Sequence, residues 1–370
     1  MKINNAKHDV WVEISKENMT SNFHSLRKKV SPNTKICAVV KANGYSHGTV
    51  ESAKIFSDAG CDYLGVTHFS EAKEIRENNI TTKILLFMPI SRFNLKEAIS
   101  LDLNITVSNI KELEIINETA KSMKKTAYIH VKIDTGMGRI GVYANEAVEL
   151  FQAIETMDNI KTAGIYTHFA RSGELDIAFT KRQFSIFETV LTTLKRYNFN
   201  YGIAHACNSS ATLRFPNMHM DMVRIGTALY GQFPSVYAKQ RDVDLKNTWE
   251  LKCRICEIRH LNAGSTIGYG SEFIAKKPMK VAVISIGFAH GYTLIPESLI
   301  YRIEPLRYFI KKYSRHYQVK INNQNCDILG RIGMQMCIAN ITGIESKIDD
   351  TVTIPSMRLP VPSSIPRVIV

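Results

Sequence analysis

Through the first two-thirds of the chain, short apolar runs alternate with longer amphipathic stretches. The runs are 36–41 (ICAVVK), 62–67 (DYLGVT), 83–87 (KILLF), 103–107 (LNITV), 127–133 (AYIHVKI), 161–168 (KTAGIYTH), 201–207 (YGIAHAC) and 222–226 (MVRIG). Their apolar and β-branched residues fall at consecutive positions, so both faces of each strand need cover, as in a parallel sheet flanked by helices. The stretches between them carry a helical period. SEAKEIRENN offers Ala72 and Ile75, with the following Ile80, to a core, and NIKELEIINETAKSMKK offers Leu113, Ile116 and Ala120 at 3–4 spacing. Eight strands, each followed by a helix, predict an α/β fold built on a (β/α)8 TIM-like barrel, with a doubly wound sheet as the alternative.

After Tyr230 the helical period fades and strict alternation takes over, in WELKCRICEIRHL, KVAVISIG, QVKIN, CDILGRI, MCIANIT and TVTIP. That pattern predicts a mainly antiparallel β domain. The division expected is residues 13–235 for the barrel and 236–370 for the β domain, with residues 1–12 (HDVWVEI especially) adding a strand to the latter.

The chain has 370 residues, 45% hydrophobic and 22% charged, which excludes disordered and collagen-like classes. Lys+Arg number 47 against 34 Asp+Glu, a net charge of +13 that raises the question of a polyanionic partner. No helix-turn-helix, zinc finger or RNP motif accompanies it, so nucleic acid is not expected. No apolar run approaches the roughly 20 residues of a spanning helix, and the N-terminus lacks signal-peptide features, so no membrane association is expected. Seven scattered cysteines suit free thiols in a reducing, cytoplasmic setting. Cys253 and Cys256 are CxxC-spaced, but they lie in a strand-like run with no second pair, and no metal site is expected.

The chemically active residue types gather at the C-terminal ends of the apolar runs: Lys41, Lys132, Arg139, His168, Asn208, Ser209 and Arg224. Barrel enzymes carry their active sites on that face. In CAVVKANGYSHG, Lys41 closes an apolar strand and is followed by a small polar loop. A lysine placed there either snorkels to solvent or serves as a Schiff-base or general-base amine.

KANGYSHG resembles the pyridoxal-phosphate lysine motif of the alanine racemase family. The likeness continues in order through HVKIDTGMGRIGV, THFA, ACNSSATLRFP, MVRIGTALYG, GYGSEF, IGFAHGY and GRIGMQMC, and so spans nearly the whole chain. The resemblance implies a barrel, a C-terminal β domain and a homodimer with shared active sites. It implies that Lys41 binds pyridoxal 5'-phosphate and acts as one catalytic base, with Tyr269 of the partner subunit as the opposite-face base. Arg224 resembles the arginine on the pyridine nitrogen and His168 the histidine that positions it. Tyr45, Asn208, Ser209, Gly226 and Thr227 resemble cofactor-binding residues, the phosphate lying at the last two barrel loops. Arg139 resembles the substrate-carboxylate arginine, and Lys132 the lysine carbamylated to orient it. Met334 resembles a residue that lines the partner's substrate site. The implied reaction is interconversion of L- and D-alanine, supplying D-amino acid for peptidoglycan.

Four positions depart from the family pattern. Ser363 stands near a usual tyrosine, Phe288 replaces a tyrosine, and His290 and Gln335 replace aspartates. These changes suggest an altered substrate entrance and an alternative specificity for serine or a larger amino acid. A basic, aromatic insertion follows at 302–320, where Tyr308, Phe309, Tyr313 and Tyr317 interleave with lysines and arginines. A polyanion-binding protein built on that stretch is the alternative from another class.

Overall fold

The computed structural model describes residues 7–294 and 317–370. They form two compact units, Lys16–Thr248 and the pair of segments Met1–Ser15 and Trp249–Val370.

Strand β1 (Val10–Ile14) belongs to the second unit. The first unit contains β2 (Lys35–Val39), β3 (Tyr63–Val66), β4 (Lys83–Leu86), β5 (Asn104–Val107), β6 (Ala127–Asp134), β7 (Ile160–Tyr166), β8 (Ile203–His205) and β9 (Met222–Ile225). They pair in parallel in the order β9-β2-β3-β4-β5-β6-β7-β8. The ends meet where Arg224 N donates to Cys207 O (2.9 Å) and Asp221 N to Ala204 O (3.1 Å). Every residue of β3, β5 and β9 is buried, as strands covered on both faces require. The amphipathic stretches form helices Phe69–Glu77 and Ile110–Ser122, which bury Ala72 and Ile75, and Leu113, Ile116 and Ala120. Asn109 caps the second helix by accepting from Glu112 N (2.9 Å).

The expectation that each strand is followed by a helix fails at the end of the barrel. Strand β8 leads only into the short helix Ser209–Arg214, and β9 into the 3-10 turn Thr227–Tyr230. The helix Lys16–Arg27, which precedes β2, packs beside that turn instead. Its Asn22 is the fastener: Nδ2 donates to Lys246 O (2.9 Å) and Leu229 O (3.3 Å), and Oδ1 accepts from Lys246 N (2.7 Å). Gly231 (φ 79°) turns the chain here, and a Cβ on it would stand 2.1 Å from Lys246 O.

The segment 235–248 stays with the barrel, so the units divide at Thr248 and not near residue 235. Thr248 Oγ1 donates to Tyr230 O (2.9 Å) and pairs with His47 Nε2 (2.8 Å), while Asn18 Nδ2 donates to Asn247 O (2.7 Å). Lys29 and Asp242 form an ion pair.

In the second unit, β10 (Trp249–Leu261), β11 (Met279–Ile284), β12 (Gln318–Ile321), β13 (Gln324–Leu329), β14 (Cys337–Asn340), β15 (Thr351–Ile354) and β16 (Arg367–Ile369) join β1. Antiparallel pairings run β10-β11-β14-β13-β12-β15 and back to β10, closing a ring. β1 pairs antiparallel with β10 and parallel with β16. Along β10 the alternation buries Trp249, Leu251, Cys253 and Ile255. The CxxC is therefore a strand feature, with Cys253 inward and Cys256 exposed. Residues 302–316 of the basic insertion lie outside the described residues, and 318–320 lie in β12.

Candidate active site

The turn after β2 is the first element of the site. Ala42, Asn43, Gly44, Tyr45 and Ser46 have positive φ (55°, 53°, 58°, 52° and 74°). Left-handed backbone costs an L-residue roughly 1–2 kcal/mol, so this turn needs outside support. Glu71 provides it: one oxygen accepts from Ala42 N (2.6 Å) and the other from Thr67 N (2.9 Å) and His68 N (3.0 Å). Asn43 Oδ1 accepts from Thr49 N (3.2 Å). The turn delivers Lys41 and Tyr45 to one cavity of about 450 Å³ in the barrel unit.

Ten residues singled out from the sequence line this cavity: Lys41, Tyr45, Lys132, Arg139, His168, Asn208, Ser209, Arg224, Gly226 and Thr227. Lys41, Lys132, Arg139 and Arg224 are its basic side chains, and among the described residues no carboxylate lines it. Tyr269 and Met334 lie in the other unit, 74% and 64% exposed. So do the four departures: Phe288 and His290 in a short 3-10 turn, Gln335 and Ser363 on exposed backbone. His290 Nδ1 accepts from Gly287 N (3.2 Å).

Arg224 is 4% exposed. Its guanidinium donates to His205 Nδ1 (2.6 Å), Thr167 O (2.7 Å), Ala206 O (3.0 Å) and His168 Nδ1 (3.3 Å). His168 thus contacts the arginine as expected, and His205 contacts it at shorter range. Tyr166 stacks on His205 (centroids 4.9 Å apart, planes 4° apart) and takes the Arg224 and Lys132 charges over its face, each 5.1 Å from the ring centre.

This field shapes the titrations. Burial, reinforced by Arg224, pushes the Lys132 ammonium down to about 7. Burial and then Arg139 lower Lys41, with Glu71 opposing. Burial, with Arg224 next, drives His168 and His205 well below the usual histidine range. Burial raises the Tyr45 phenol, tempered by a hydrogen bond with Thr227.

The hydroxyl- and amide-bearing part of the lining is tightly packed. Ser209 Oγ accepts from Gly226 N (2.8 Å), and Asn208 caps the Ser209–Arg214 helix by accepting from Ala211 N (3.1 Å). Tyr45 stacks on Tyr230 at 4.9 Å, and its hydroxyl lies where a Cβ on Gly226 would be, 2.4 Å away.

The sequence reading missed His205, His130, Tyr166, Ser172 and Glu71. Three of them are polar rings within barrel strands. In β6, His130 and Lys132 share one parity, and His205 and Tyr166 are polar-headed residues within otherwise apolar barrel strands. A polar group at such a position needs a partner inside the barrel.

Comparison with known proteins accords with this geometry. A family model described as "Alanine racemase, N-terminal domain" matches residues 14–234, and "Alanine racemase, C-terminal domain" matches 248–361. The chain belongs to the alanine racemase family. Alanine racemase 1 of Oceanobacillus iheyensis is 34% identical over 96% of this chain and 90% of its own length. The alanine racemase of Methanococcus maripaludis is 33% identical, over 94% and 89%. Among solved structures, the alanine racemase of Clostridium difficile 630 superposes with a TM-score of 0.89 at 28% identity, covering 98% of this chain and 96% of its own. The (β/α)8 barrel and antiparallel β domain expected from the sequence are those of the alanine racemase fold.

Proposed function

We propose that this chain is a pyridoxal-phosphate-dependent alanine racemase that works as a cytoplasmic homodimer and supplies D-alanine for peptidoglycan. The carrying observation is a single cavity in which a strand-end lysine of lowered pKa shares the walls with three further basic side chains and, among the described residues, no carboxylate. That donor set fits a phosphorylated cofactor and an amino-acid carboxylate. Free thiols throughout the described residues support a reducing compartment.

When bound, pyridoxal phosphate supplies an electron-withdrawing ring that acidifies the Cα proton of an amino acid. Lys41 would hold it covalently, with Ser209, Thr227 and Tyr45 at the phosphate and Asn208 bracing that end. Arg224 would face the ring nitrogen. A guanidinium only donates, so that nitrogen stays unprotonated and the electron sink stays weak. Weakness favours return of the proton to Cα over side reactions. Arg139 would pair with the substrate carboxylate through its planar fork.

Burial pushes Lys132 down to about 7, so a fraction of it is the neutral amine at neutral pH. A neutral amine adds carbon dioxide, losing one proton and gaining a carboxylate. The resulting carbamate would give Arg139 the anionic partner that the lining residues lack.

Inversion needs a proton taken from one face and returned on the other. Lys41 Nζ serves one face, and Tyr269 of the partner subunit serves the opposite face, with Met334 of the partner subunit beside the substrate. Purified protein should carry the visible absorption of bound cofactor and racemise L-alanine. Lys41→Ala should lose both, and an unchanged rate in that variant overturns the assignment.

A second reading concerns specificity. Phe288, His290, Gln335 and Ser363 remove two phenols and two carboxylates from the family's entrance pattern. The same machinery would then accept serine or larger amino acids. Racemisation rates over a panel of L-amino acids decide it, and a strict preference for alanine ends this reading.

A further inference from the structure

Beneath Arg224 lie two fully buried histidines whose protons can be placed by donor counting alone. Arg224 Nη1 meets His205 Nδ1 at 2.6 Å, and His205 Nε2 meets His130 Nδ1 at 3.0 Å. A guanidinium has no acceptor, so His205 Nδ1 must be the lone pair. The His205 proton is therefore on Nε2, and it donates to His130 Nδ1. His130 must in turn carry its proton on Nε2, where it has no partner and is buried from solvent. Both rings are neutral: a second proton on either would set two donors face to face. The low-lying titration of both rings agrees, His130 being pushed down to about 3 by burial and by Arg224.

We infer that His130 is a positioning residue that fixes the tautomer of His205 and, through it, the aim of the Arg224 guanidinium. An orphaned N–H in a barrel core is otherwise unfavourable, and its retention is explained if the acceptor on the other nitrogen is what the site requires. With no acceptor at 130, the His205 Nε2–H is left buried and unpaired, so the ring either turns away toward another acceptor or moves its proton to Nδ1 and faces Arg224 with a donor. The guanidinium would then lose its shortest hydrogen bond and its fixed direction. The inference rests on the proposed pairing of Arg224 with the cofactor ring nitrogen. Loosening that pairing lets the ring nitrogen gain a proton, which strengthens the electron sink and diverts turnover toward transamination.

Two variants separate this role from simple packing. His130→Asn keeps an acceptor near the Nδ1 position, and His130→Leu has none. In the holoenzyme, the ratio of cofactor converted to its amine form per racemisation turnover should rise about tenfold or more in H130L, the effect of losing one hydrogen bond to a charged group. In H130N it should stay near wild type. Equal ratios in H130L and H130N overturn the inference. Imidazole nitrogen NMR of the wild-type holoenzyme, labelled in histidine, gives a readout independent of turnover and of whether H130L folds. Two neutral rings protonated at Nε2 support the inference, and a His205 proton on Nδ1 overturns it. A wild-type protein that binds no pyridoxal phosphate would overturn the proposed function while leaving the NMR result interpretable.

Discussion

Two glycines line the candidate site, and the structure predicts opposite outcomes for the same added methyl group. A Cβ on Gly226 would stand 2.4 Å from the Tyr45 hydroxyl oxygen and 3.0 Å from its Cζ. The tyrosine cannot give way freely, because it stacks on Tyr230 at 4.9 Å and its hydroxyl bonds Thr227. Relief requires the phenol to move by about 1 Å, breaking that hydrogen bond at a cost of about 1 kcal/mol. Overpacking adds roughly 1–3 kcal/mol. Borne by the cofactor-bound geometry, about 2–4 kcal/mol weakens pyridoxal phosphate binding by roughly thirtyfold or more. On Gly173, in the same cavity wall, a Cβ would meet Ser235 Cβ at 3.5 Å and Ser210 Oγ at 3.6 Å, ordinary contact distances. Titrating cofactor into the two apoproteins should show G226A with the large loss and G173A within about twofold of wild type. Equal affinities in G226A and wild type would refute the placement of Tyr45 against Gly226 at the phosphate end.

Three further outcomes follow from the site. Lys132, pushed down to about 7 and so partly neutral near neutrality, should give a carbamate carbonyl signal when the protein is supplied with 13C-bicarbonate, and Lys132→Met should lose it; a signal surviving in the variant assigns it elsewhere. Burial holds His130 at about 3, below its unfolded value of 6.5. The unfolded chain thus gains a proton as pH falls below 6.5 while the native ring does not, and stability falls by about 1.4 kcal/mol per pH unit per such histidine until pH reaches the folded value. His205 and His168 act in the same direction. Urea denaturation of the apoprotein should show this steep acid loss, with H130N removing one histidine's share of the slope; identical slopes contradict it. Glu71→Gln weakens three bonds that the carboxylate accepts from backbone N–H groups, one of them (Ala42) in the left-handed turn and two (Thr67 and His68) before its own helix, and should lower stability by about 1–3 kcal/mol in denaturant melts, whereas an unchanged midpoint would show the turn to be self-supporting.

The barrel was legible because burial on both faces leaves a compositional trace. Runs such as ICAVVK and KILLF contain too few polar positions to face water, and the strands Lys35–Val39 and Lys83–Leu86 coincide with them to within a residue at their starts. The cations and hydroxyls at strand ends were legible for the converse reason, being polar groups at the edge of an apolar run. His130, His205 and Tyr166 were not, since a polar ring in mid-strand reads as a core residue until its partner across the barrel is known. The turn at 42–46 was visible as Asn43-Gly44, but positive φ at Ala42 and Tyr45 has no local signature, and the bond that Ala42 N makes comes from Glu71, distant in sequence on the helix Phe69–Glu77. The barrel's last segment, 236–248, was misplaced because its attachment depends on single contacts such as Thr248 with His47 and Asn22 with Lys246. Those contacts carry no periodicity.

The proposed reaction requires Lys41 and Tyr269 of the partner subunit to hold the proton on opposite faces of the substrate. It is tested most directly by Cα deuterium incorporation in D2O, starting separately from L- and D-alanine, in Tyr269→Phe. One remaining base predicts that exchange persists from the enantiomer whose proton faces Lys41, without inversion, and is lost from the other. Exchange reduced equally from both enantiomers, or racemisation at the wild-type rate, would contradict a two-base site built on these residues.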